Sequence, residues 1–431
     1  MDLFNLVLEQ KEKRYKERLA YENEFKSPVI CFSLNIPYLY KVKNIDEVKA
    51  LFLYGINELI KNLNPINYKV YLDDLFCLFA ISDDAYILKE HCIKLENKHS
   101  FSRLFDFDVY FKNEVIKARA SGRKCFLCDE LAIVCQRNNT HTKDEIYQKI
   151  DDLFDDFYVY KALNYPCKNE FSSKALRALL YEVSLAPKLG LVEIPNSNSH
   201  SDMNFLSFID SASELKWYFD SFYTLAMLSK RNEFKRLKRL GQLAENAMFK
   251  ATNNVNTHKG ALFLFAIMIY VCAKNENDLN PINISKTTKQ ICENLCKNEL
   301  NKNLNSIGGK CFHLYGIKGI RDEVEQGFLN TFKAYEFFNK QSDFKELRTL
   351  FYISSIIDDT SLLKRCEYDL EKYKRVKNTC KKLSTKKSKN YINLIKKLNY
   401  IYVKNNLSFG GSADVLSLVF FLDFIYKINS K

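Results

Sequence analysis

The stretch Ala251-Thr-Asn-Asn-Val-Asn-Thr-His-Lys-Gly-Ala-Leu-Phe263 places a polar turn between two apolar helical runs. Upstream of the turn, Leu243, Ala247 and Met248 recur at helical spacing, and downstream the run 261–271 is almost wholly apolar. The turn is therefore a junction between two helices. Such junctions predict a helical bundle for this part of the chain.

The same junction predicts a binding site for phosphate. We expect Thr257 to cap the second helix, with His258, Lys259 and Gly260 in its first turn after Asn256. A helix start offers unpaired N–H groups and the positive end of the helix dipole, and glycine lets an anion approach the backbone. The alternative is an ordinary capped helix start whose His258 and Lys259 face water.

Length and composition exclude several classes of protein. The chain has 431 residues, of which 47% are hydrophobic, which is enough for two or three domains with cores. The N-terminal sequence has no secretory signal pattern, and the apolar runs 262–272 and 415–426 are shorter than the roughly 20 residues that a bilayer crossing requires. The 13 cysteines lie mostly singly in apolar or helical contexts, which favours reduced thiols. We therefore expect a cytoplasmic protein with no membrane partner.

The net charge of +13 is unevenly distributed. Residues 1–165 contain 24 Lys and Arg against 26 Asp and Glu, so the whole basic surplus lies in the remainder. The run 372–389 has nine Lys or Arg but Tyr373 as its one aromatic residue. Because nucleic-acid surfaces interleave aromatic side chains with cations, we interpret this run as a solvated helix and loop.

Secondary-structure signals divide the chain into two domains. Residues 1–165 mix helical and strand-like patterns, and the polar segment 164–173 with Pro166 indicates a linker. Beyond it, strand signals nearly vanish. We predict a multidomain protein with an N-terminal α+β domain, residues 1–165, followed by a larger all-α helical domain, residues 168–431.

The segment Arg103-Leu-Phe-Asp-Phe-Asp-Val-Tyr110 alternates strictly and predicts a strand. Period two places Asp106 and Asp108 on one face and the apolar side chains on the other. Two adjacent carboxylates repel unless a cation lies between them, and Mg²⁺ that carries substrate phosphates fits this pattern. The alternative is an amphipathic edge strand with a solvated acidic face.

The next segment carries four candidate metal ligands with the spacing C-x2-C-x6-C-x5-H, namely Cys125, Cys128, Cys135 and His141. Three thiols and an imidazole are suitable ligands for tetrahedral Zn²⁺. The second half lacks the repeated C-x2-C of the strongest zinc patterns. A cysteine loop packed without metal is the alternative.

Further polar clusters interrupt the helical part, and each joins two helices. With only 12 glycines in the chain, we expect the glycines of these clusters to be required by the backbone. We expect Ser412 to cap a helix whose first turn contains Asp414. Acidic groups for a metal and basic groups for phosphates at helix ends predict one site at the end of a bundle. These clusters are residues 182–193, 199–202, 316–323, 358–360 and 407–414.

Residues 168–431 resemble the triphosphoribosyl-dephospho-CoA synthases. The resemblance rests on Pro187-Lys-Leu-Gly-Leu-Val192, Val255-Asn-Thr-His-Lys-Gly-Ala261, Gly316-Ile-Lys-Gly-Ile-Arg321, Asp359-Thr360 and Gly410-Gly-Ser-Ala-Asp414. The chain departs from the family pattern at Asn253 and Asn254, where the family has two glycines.

Residues 1–165 are similar to the holo-citrate lyase synthases, which are apo-citrate lyase phosphoribosyl-dephospho-CoA transferases. Ser33-Leu-Asn-Ile-Pro37, Arg103-Leu-Phe-Asp-Phe-Asp-Val109 and the cysteine–histidine segment carry this match. Together the two resemblances cover nearly the whole chain and indicate a fused form of the two enzymes.

The resemblance implies two reactions. The synthase joins ATP to the 2′-hydroxyl of 3′-dephospho-CoA and expels adenine. The transferase then moves the phosphoribosyl-dephospho-CoA group to a serine of the citrate lyase acyl carrier protein, the gamma subunit, and releases pyrophosphate. Mg²⁺ is the implied cofactor, and no nucleic acid is an implied partner.

The resemblance also suggests residue roles. In the synthase, Lys188, His258, Lys259 and Arg321 would hold phosphates, with Asn256, Thr257, Gly260, Gly410, Gly411 and Ser412 also at the substrate. The metal and acid–base roles would be shared among Glu182, Asp202, Glu323, Asp359 and Asp414. In the transferase, Asp106 and Asp108 would hold Mg²⁺ and Arg103 the phosphates.

A zinc-knuckle, lysine-rich nucleic-acid-binding protein is the alternative from another class. We disfavour it because the basic run and the cysteine knuckle lie in different domains.

Overall fold

The computed structural model describes residues 3–117, 122–194, 196–301 and 306–427, with side chains from residue 8 onward. The chain divides into two compact units, Met1–Phe157 and Tyr158–Lys431.

The first unit contains an antiparallel sheet. Its five strands are β1 (Val29–Leu34), β2 (Asn67–Tyr71), β3 (Phe76–Ala80), β4 (Phe105–Phe111) and β5 (Glu114–Val115). The strand order is β2-β3-β1-β4-β5, and every neighbouring pair is antiparallel.

The first unit also contains helices, and both faces of the sheet have a helix packed on them: Tyr21 of the first helix packs with Val29 and Leu78, and the third helix packs on the opposite face, which buries Phe32 and Phe107. The helices are α1 (Leu3–Phe25), α2 (Tyr38–Lys43), α3 (Ile45–Leu63), α4 (Ala85–Glu96) and α5 (Ala132–Asn138), with a short 3-10 helix at Phe101–Leu104. Phe52 of α3 stacks on Phe32 of β1 with ring centroids 5.1 Å apart, and Phe32 lies 4.7 Å from Phe107 of β4. Because β4 alternates, Asp106 and Asp108 lie on the opposite face.

The second unit is helical. Helix α6 (Lys143–Asn164) begins in the first unit and ends in the second. The helices that follow are α7 (Glu170–Ser184), α8 (Phe205–Leu228), α9 (Glu233–Ala251), α10 (Lys259–Lys274), α11 (Pro281–Ile291), α12 (Leu295–Leu300), α13 (Ile307–Tyr315), α14 (Ile320–Glu325), α15 (Leu329–Asn339), α16 (Lys345–Ile356), α17 (Thr360–Arg365), α18 (Leu370–Thr385), α19 (Tyr391–Lys404) and α20 (Gly410–Tyr426).

Helices α10 and α20 form the centre of the bundle. Both are apolar around nearly their whole circumference, and they pack against each other with the rings of Phe265 and Phe421 5.5 Å apart. Helices α7, α15 and α16 surround α20, and α8 and α9 pack on α10. Within the described part of the chain, no helix is both long enough and apolar enough to span a bilayer.

The predicted fold class is confirmed: an N-terminal region with a small antiparallel sheet precedes a larger helical region. Two predicted helix starts are wrong, by one residue for α10 and by three for α20. Helix α10 begins at Lys259 with His258 as its N-cap, so Thr257 is not the cap. Helix α20 begins at Gly410 with Phe409 as its N-cap, so Ser412 lies inside the first turn and Asp414 beyond it.

Candidate functional site

A cavity of about 360 Å³ opens in the second unit where several helices begin or end. Its walls come from the end of α7, the loop segments 185–194 and 196–204, and the starts of α10, α17 and α20. The cavity brings together most of the sequence-predicted synthase residues: Glu182, Lys188, Asp202, Asn256, Thr257, His258, Lys259, Gly260, Gly410, Gly411 and Asp414.

Asp414 reaches from α20 to the start of α10. Its carboxylate accepts a hydrogen bond from the N–H of Ala261 and lies directly against Gly260. A Cβ at position 260 would lie 2.9 Å from Cγ of Asp414, closer than real Cβ contacts permit. Burial raises the pKa of Asp414 well above its usual range, and the negative charges of Asp359 and Glu182 raise it further.

Asp359 joins two other helix starts. It caps α17 by accepting the N–H of Leu362 at 3.0 Å, and its other oxygen accepts both the N–H and the hydroxyl of Ser412 at 3.0 Å. Burial raises the pKa of Asp359, and hydrogen bonds from these groups and from the Gly411 N–H lower it again in part. Carboxylates of the chain itself therefore occupy the starts of both α10 and α20, where the sequence predicted open phosphate sites.

His258 is buried, with 4% of its surface exposed. Its Nδ1 lies 2.7 Å from the hydroxyl of Ser211 on α8. Its Nε2 and the hydroxyl of Thr257 are buried without a hydrogen-bond partner among the described residues. Burial, and then the charge of Lys188, lower the pKa of His258 to about 3. His258 is therefore a neutral imidazole at pH 7 and not the cation expected for a phosphate ligand.

Glu182 and Lys188 form a buried ion pair in the cavity wall. Nζ of Lys188 lies 2.9 Å from Oε1 of Glu182 and 2.8 Å from its backbone oxygen. The side chains are 9% and 1% exposed, respectively. Because each charge is desolvated, removing either partner would leave an uncompensated buried charge.

A second histidine that sequence reasoning missed faces the same cavity. Nε2 of His200 lies 2.9 Å from the hydroxyl of Ser408, and Nδ1 lies 3.3 Å from the guanidinium of Arg365. Burial and the Arg365 charge lower the pKa of His200 to about 4. Arg365 and Lys364 supply cations to the cavity. The sequence signal for these three residues was weak, because His200 lies far along the chain from Lys364 and Arg365 and only the fold brings them together.

Four predicted residues lie outside the lining of this cavity. Glu323 accepts the N–H and hydroxyl of Thr331 at 2.7 and 2.8 Å, so it caps helix α15. Arg321 lines a neighbouring groove between α9 and α10. Asp359 and Ser412 lie behind the wall and position Gly411.

In the first unit, Asp106 and Asp108 are half-exposed neighbours on one face of β4, as the alternation predicted. They lie opposite Ser33 and Cys31 of β1 in the antiparallel register. Burial raises the pKa of Asp108, and the charge of Asp106 adds to the rise. The pair is thus a locus of negative charge that a cation would stabilise.

Three cations approach these carboxylates, and none was predicted from the sequence. Arg123 lies 3.3 Å from Asp106 and 3.3 Å from the buried Glu96. Nζ of Lys89 lies 3.9 Å from Asp108. Lys41 is close enough for Asp106 to raise its pKa, although burial and Arg14 lower the value to about 8.

Arg103 does not contact the aspartates. Its guanidinium donates to the backbone oxygens of Lys124 and Cys125 at 3.0 and 2.9 Å, so it fixes the cysteine loop. The same loop carries Arg123, which contacts Asp106. The loop that carries the cysteines is therefore held by Arg103, which precedes β4, and is joined to the acidic face of β4 through Arg123.

The structure brings Cys125, Cys128, Cys135 and His141 together, with all ligand atoms within 4.8 Å of one another. Sγ of Cys128 lies 3.4 Å from Sγ of Cys135 and 3.3 Å from Nε2 of His141. The Leu127 N–H points at Sγ of Cys125 at 3.4 Å. This group can hold a metal ion.

The comparisons with known proteins match both parts of the chain. Residues 168–431 match the family CitG, ATP:dephospho-CoA triphosphoribosyl transferase, and residues 3–157 match CitX, apo-citrate lyase phosphoribosyl-dephospho-CoA transferase. Protein CitXG of Leuconostoc mesenteroides subsp. cremoris is 31% identical over 96% of this chain and 96% of its own length.

The chain belongs to the CitXG family.

Other relatives cover the whole chain or its second part. Protein CitXG of Haemophilus influenzae is 29% identical over 97% of this chain and 95% of its own length. A probable 2-(5''-triphosphoribosyl)-3'-dephosphocoenzyme-A synthase of Streptococcus pyogenes is 34% identical over 60% of this chain and 97% of its own length. The family membership confirms a transferase that makes and attaches the citrate lyase prosthetic group, and the nucleic-acid-binding alternative is not favoured.

The departure of this CitXG chain at Asn253 and Asn254 has a conformational explanation. Both residues adopt the left-handed region, with φ of 52° and 65°. Asparagine tolerates this region better than other residues with a side chain, so it can replace the two glycines of the family pattern. The turn is closed by the Thr252 hydroxyl, which donates to the Val255 oxygen at 2.6 Å.

Proposed function

We propose that residues 168–431 of this CitXG chain carry the synthase activity and residues 1–165 the transferase activity. ATP and 3′-dephospho-CoA would give 2′-(5″-triphosphoribosyl)-3′-dephospho-CoA and adenine. The second reaction would attach the phosphoribosyl-dephospho-CoA group to the citrate lyase acyl carrier protein. The family membership supports the two reactions, and the cavity at the ends of α10 and α20 supports the place of the first.

In the synthase reaction, the bond between C1′ of the ATP ribose and adenine breaks. A bond forms between the same carbon and the 2′-oxygen of dephospho-CoA, and the hydroxyl proton is transferred so that adenine leaves neutral. Such displacements pass through a cation-like sugar, as in glycoside hydrolysis. The site must therefore supply a proton to the leaving base and accept one from the attacking hydroxyl.

Asp414 is our candidate for the proton donor. Its raised pKa means that the carboxyl holds a proton at a higher pH than an exposed aspartate does. His258 is our candidate for the group that orients the attacking hydroxyl and takes its proton, because its Nε2 is unpartnered, neutral and in the cavity wall. The hydroxyl becomes strongly acidic once it bonds to the electron-deficient carbon, so a weak base suffices.

The triphosphate requires positive charge. We assign this role to Lys259, Lys364 and Arg365 around the cavity and to Lys188 within its wall. Asp202 and Glu182 have the oxygen donors that Mg²⁺ prefers, and both line the cavity. Mg²⁺ bound there would neutralise phosphate charge.

In the transferase reaction, the serine oxygen of the carrier protein would attack the α-phosphorus, and the bond to pyrophosphate would break. Asp106 and Asp108 would hold Mg²⁺, because their adjacent carboxylates accumulate negative charge beside one another. Arg123 and Lys41 are placed to contact phosphate oxygens next to Asp106. We propose Zn²⁺ for the cysteine–histidine group, where it would be structural because all four protein ligands are present.

Adenine release tests the synthase assignment. The full chain is incubated with ATP, Mg²⁺ and dephospho-CoA, and adenine is measured by chromatography. Added carrier protein should then gain the mass of the prosthetic group. A chain that releases no adenine would contradict the proposal. We place the enzyme in the cytoplasm, because its 13 cysteines lie mostly singly in apolar or helical contexts, as is usual for reduced thiols.

A further inference from the structure

A second concavity lies beside the synthase cavity, in a groove between α9 and α10. Its volume is about 400 Å³, and Lys259 lines both spaces. One wall is a single face of α9, with residues from Phe234 to Asn246 at helical spacing. The other is the face of α10 that includes Leu262 and Ala266.

The groove has an apolar floor and a charged rim. Leu237, Leu262, Ile267 and Leu295 form the floor and are each at most 3% exposed. The rim carries two ion pairs, Lys238 with Glu299 at 2.5 Å and Lys259 with Glu245 at 2.6 Å. Arg321 stacks over Phe263 with its guanidinium carbon 5.9 Å from the ring centre. An apolar floor with a charged rim fits a ligand that has a neutral, partly apolar segment attached to an anionic group.

Gly241 has no structural requirement in α9. A Cβ there would meet nothing within 4 Å, and the residue lies in regular helix, where glycine is less favourable than alanine. The chain has only 12 glycines. Because Gly241 lines the groove and has no side chain, the space beside this part of α9 stays open to a ligand.

The synthase reaction needs more room than the first cavity offers. Pockets that enclose one drug-sized ligand measure about 300–1,000 Å³. The cavity at the start of α10 is at the lower end of this range, yet the reaction brings together two nucleotides, one of which carries a long arm. The adjoining groove, at about 400 Å³, more than doubles the volume of about 360 Å³ that the first cavity offers.

We propose that the groove between α9 and α10 binds the pantetheine arm of dephospho-CoA, an inference that rests on the proposed synthase function. The arm has amide groups for Gln242 and Asn246 on the rim and an apolar dimethyl segment for the floor. Its diphosphate then lies next to Lys259 and Arg321, and the ribose hydroxyl of the same molecule points into the first cavity.

The test compares dephospho-CoA with ADP, which has the same adenosine diphosphate but no arm. The substitution Gly241→Leu places a side chain in the groove. It should not disrupt α9, because leucine has a higher helix propensity than glycine. At saturating ATP, we expect KM for dephospho-CoA to rise about tenfold or more, because remote binding contacts are lost, while KM for ATP stays within about twofold. The preference for dephospho-CoA over ADP should disappear.

Gln242→Phe adds bulk to the same groove from an exposed position. It provides an independent test if Gly241→Leu has a folding defect. Leu243→Phe is the matched control, because Leu243 is exposed on α9 outside the groove. Unchanged kinetics in both groove variants would overturn the inference, as would a rise in KM for ATP alone.

The outcome also separates this inference from the proposed function. A wild-type chain that releases no adenine contradicts the synthase assignment. The groove is then judged by calorimetric binding: wild type should bind dephospho-CoA more tightly than ADP, and Gly241→Leu should bind them equally. Equal binding by the wild type would overturn the groove assignment.

Discussion

The carboxylate of Asp414 fills the space that a side chain at position 260 would occupy. A Cβ built on Gly260 would lie 2.9 Å from Cγ of Asp414, and the same carboxylate accepts the N–H of Ala261. The start of α10 is thereby joined to α20 through one buried acid. Glycine at position 260 is required for this contact, although the sequence suggested an approach by phosphate.

Gly260→Ala should therefore disable the synthase. The added methyl group displaces the Asp414 carboxylate, and a displacement of about 1 Å can reduce a catalysed rate by about 10²-fold. Adenine release measures the effect. Carrier loading from supplied triphosphoribosyl-dephospho-CoA should continue unchanged in the same variant. Wild-type adenine release by Gly260→Ala would show that the position of Asp414 is unimportant.

Asp106→Asn should abolish carrier loading while adenine release continues. Loss of one carboxylate weakens the cation site, and we expect loading to fall by about 10²-fold or more. Mass spectrometry of the carrier protein measures the product. Asp83→Asn, an exposed aspartate in the same unit, is the control. The assignment fails if a double variant of Asp106 and Asp108 still loads the carrier.

The stability of the second unit should decrease in acid because of His258. Its pKa is lowered to about 3 by burial, whereas an unfolded histidine titrates near 6.5, so between these values the unfolded chain binds more protons. The contribution of His258 to the free energy of unfolding therefore falls as the pH is lowered from about 6.5 towards 3. Trp217, the single tryptophan of the chain, lies in this unit and reports its unfolding by fluorescence.

His258→Gln should show a smaller loss of stability between about pH 7 and pH 5, since the buried ionisable group is removed. His313→Gln, at an exposed position of α13, should retain the wild-type dependence. Equal slopes for wild type and His258→Gln would contradict the role of His258 in acid unfolding.

The cysteine–histidine group should contain about one Zn²⁺ per chain, as measured by elemental analysis. Cys128→Ser should lose the metal and reduce carrier loading about tenfold, because the loop that holds Arg123 against Asp106 loosens. Adenine release should not change. Cys167→Ser, an exposed cysteine outside the group, is the control, and normal loading by metal-free Cys128→Ser would contradict the coupling.

Asn254→Gly should preserve both stability and adenine release, whereas Asn254→Val should lower stability by about 1–2 kcal/mol. The reason is the left-handed backbone at position 254, with φ of 65°, which a β-branched side chain strongly disfavours. Denaturant unfolding monitored at Trp217 measures the difference. Equal stability of the two variants would show that the turn can relax.

Local patterns predicted the fold class and the acidic strand. Strict alternation in residues 105–109 placed Asp106 and Asp108 on one face of β4, and the spacing of Cys125, Cys128, Cys135 and His141 predicted a group that the structure brings together. These features depend on neighbours within a strand or a short loop, so the periodicity of the sequence contains them.

Helix ends were less predictable, because tertiary contacts determine their caps. Thr257 and Ser412 both have the residue type of an N-cap, yet α10 and α20 begin elsewhere. Asp359 and Asp414 occupy the helix starts from other elements of the fold. Nothing in the local sequence specifies which distant carboxylate will reach a given helix end.

The sequence by itself determined the two-part organisation and the family, and it predicted eleven of the residues that line the cavity at the starts of α10 and α20. The tertiary structure decided their chemical states. His258 is neutral and Asp414 holds its proton more tightly because both are buried, and Glu182 is paired because Lys188 is desolvated beside it. Burial depends on packing between distant helices, and the energy of a charge depends on that burial, so these properties appear only in the folded chain.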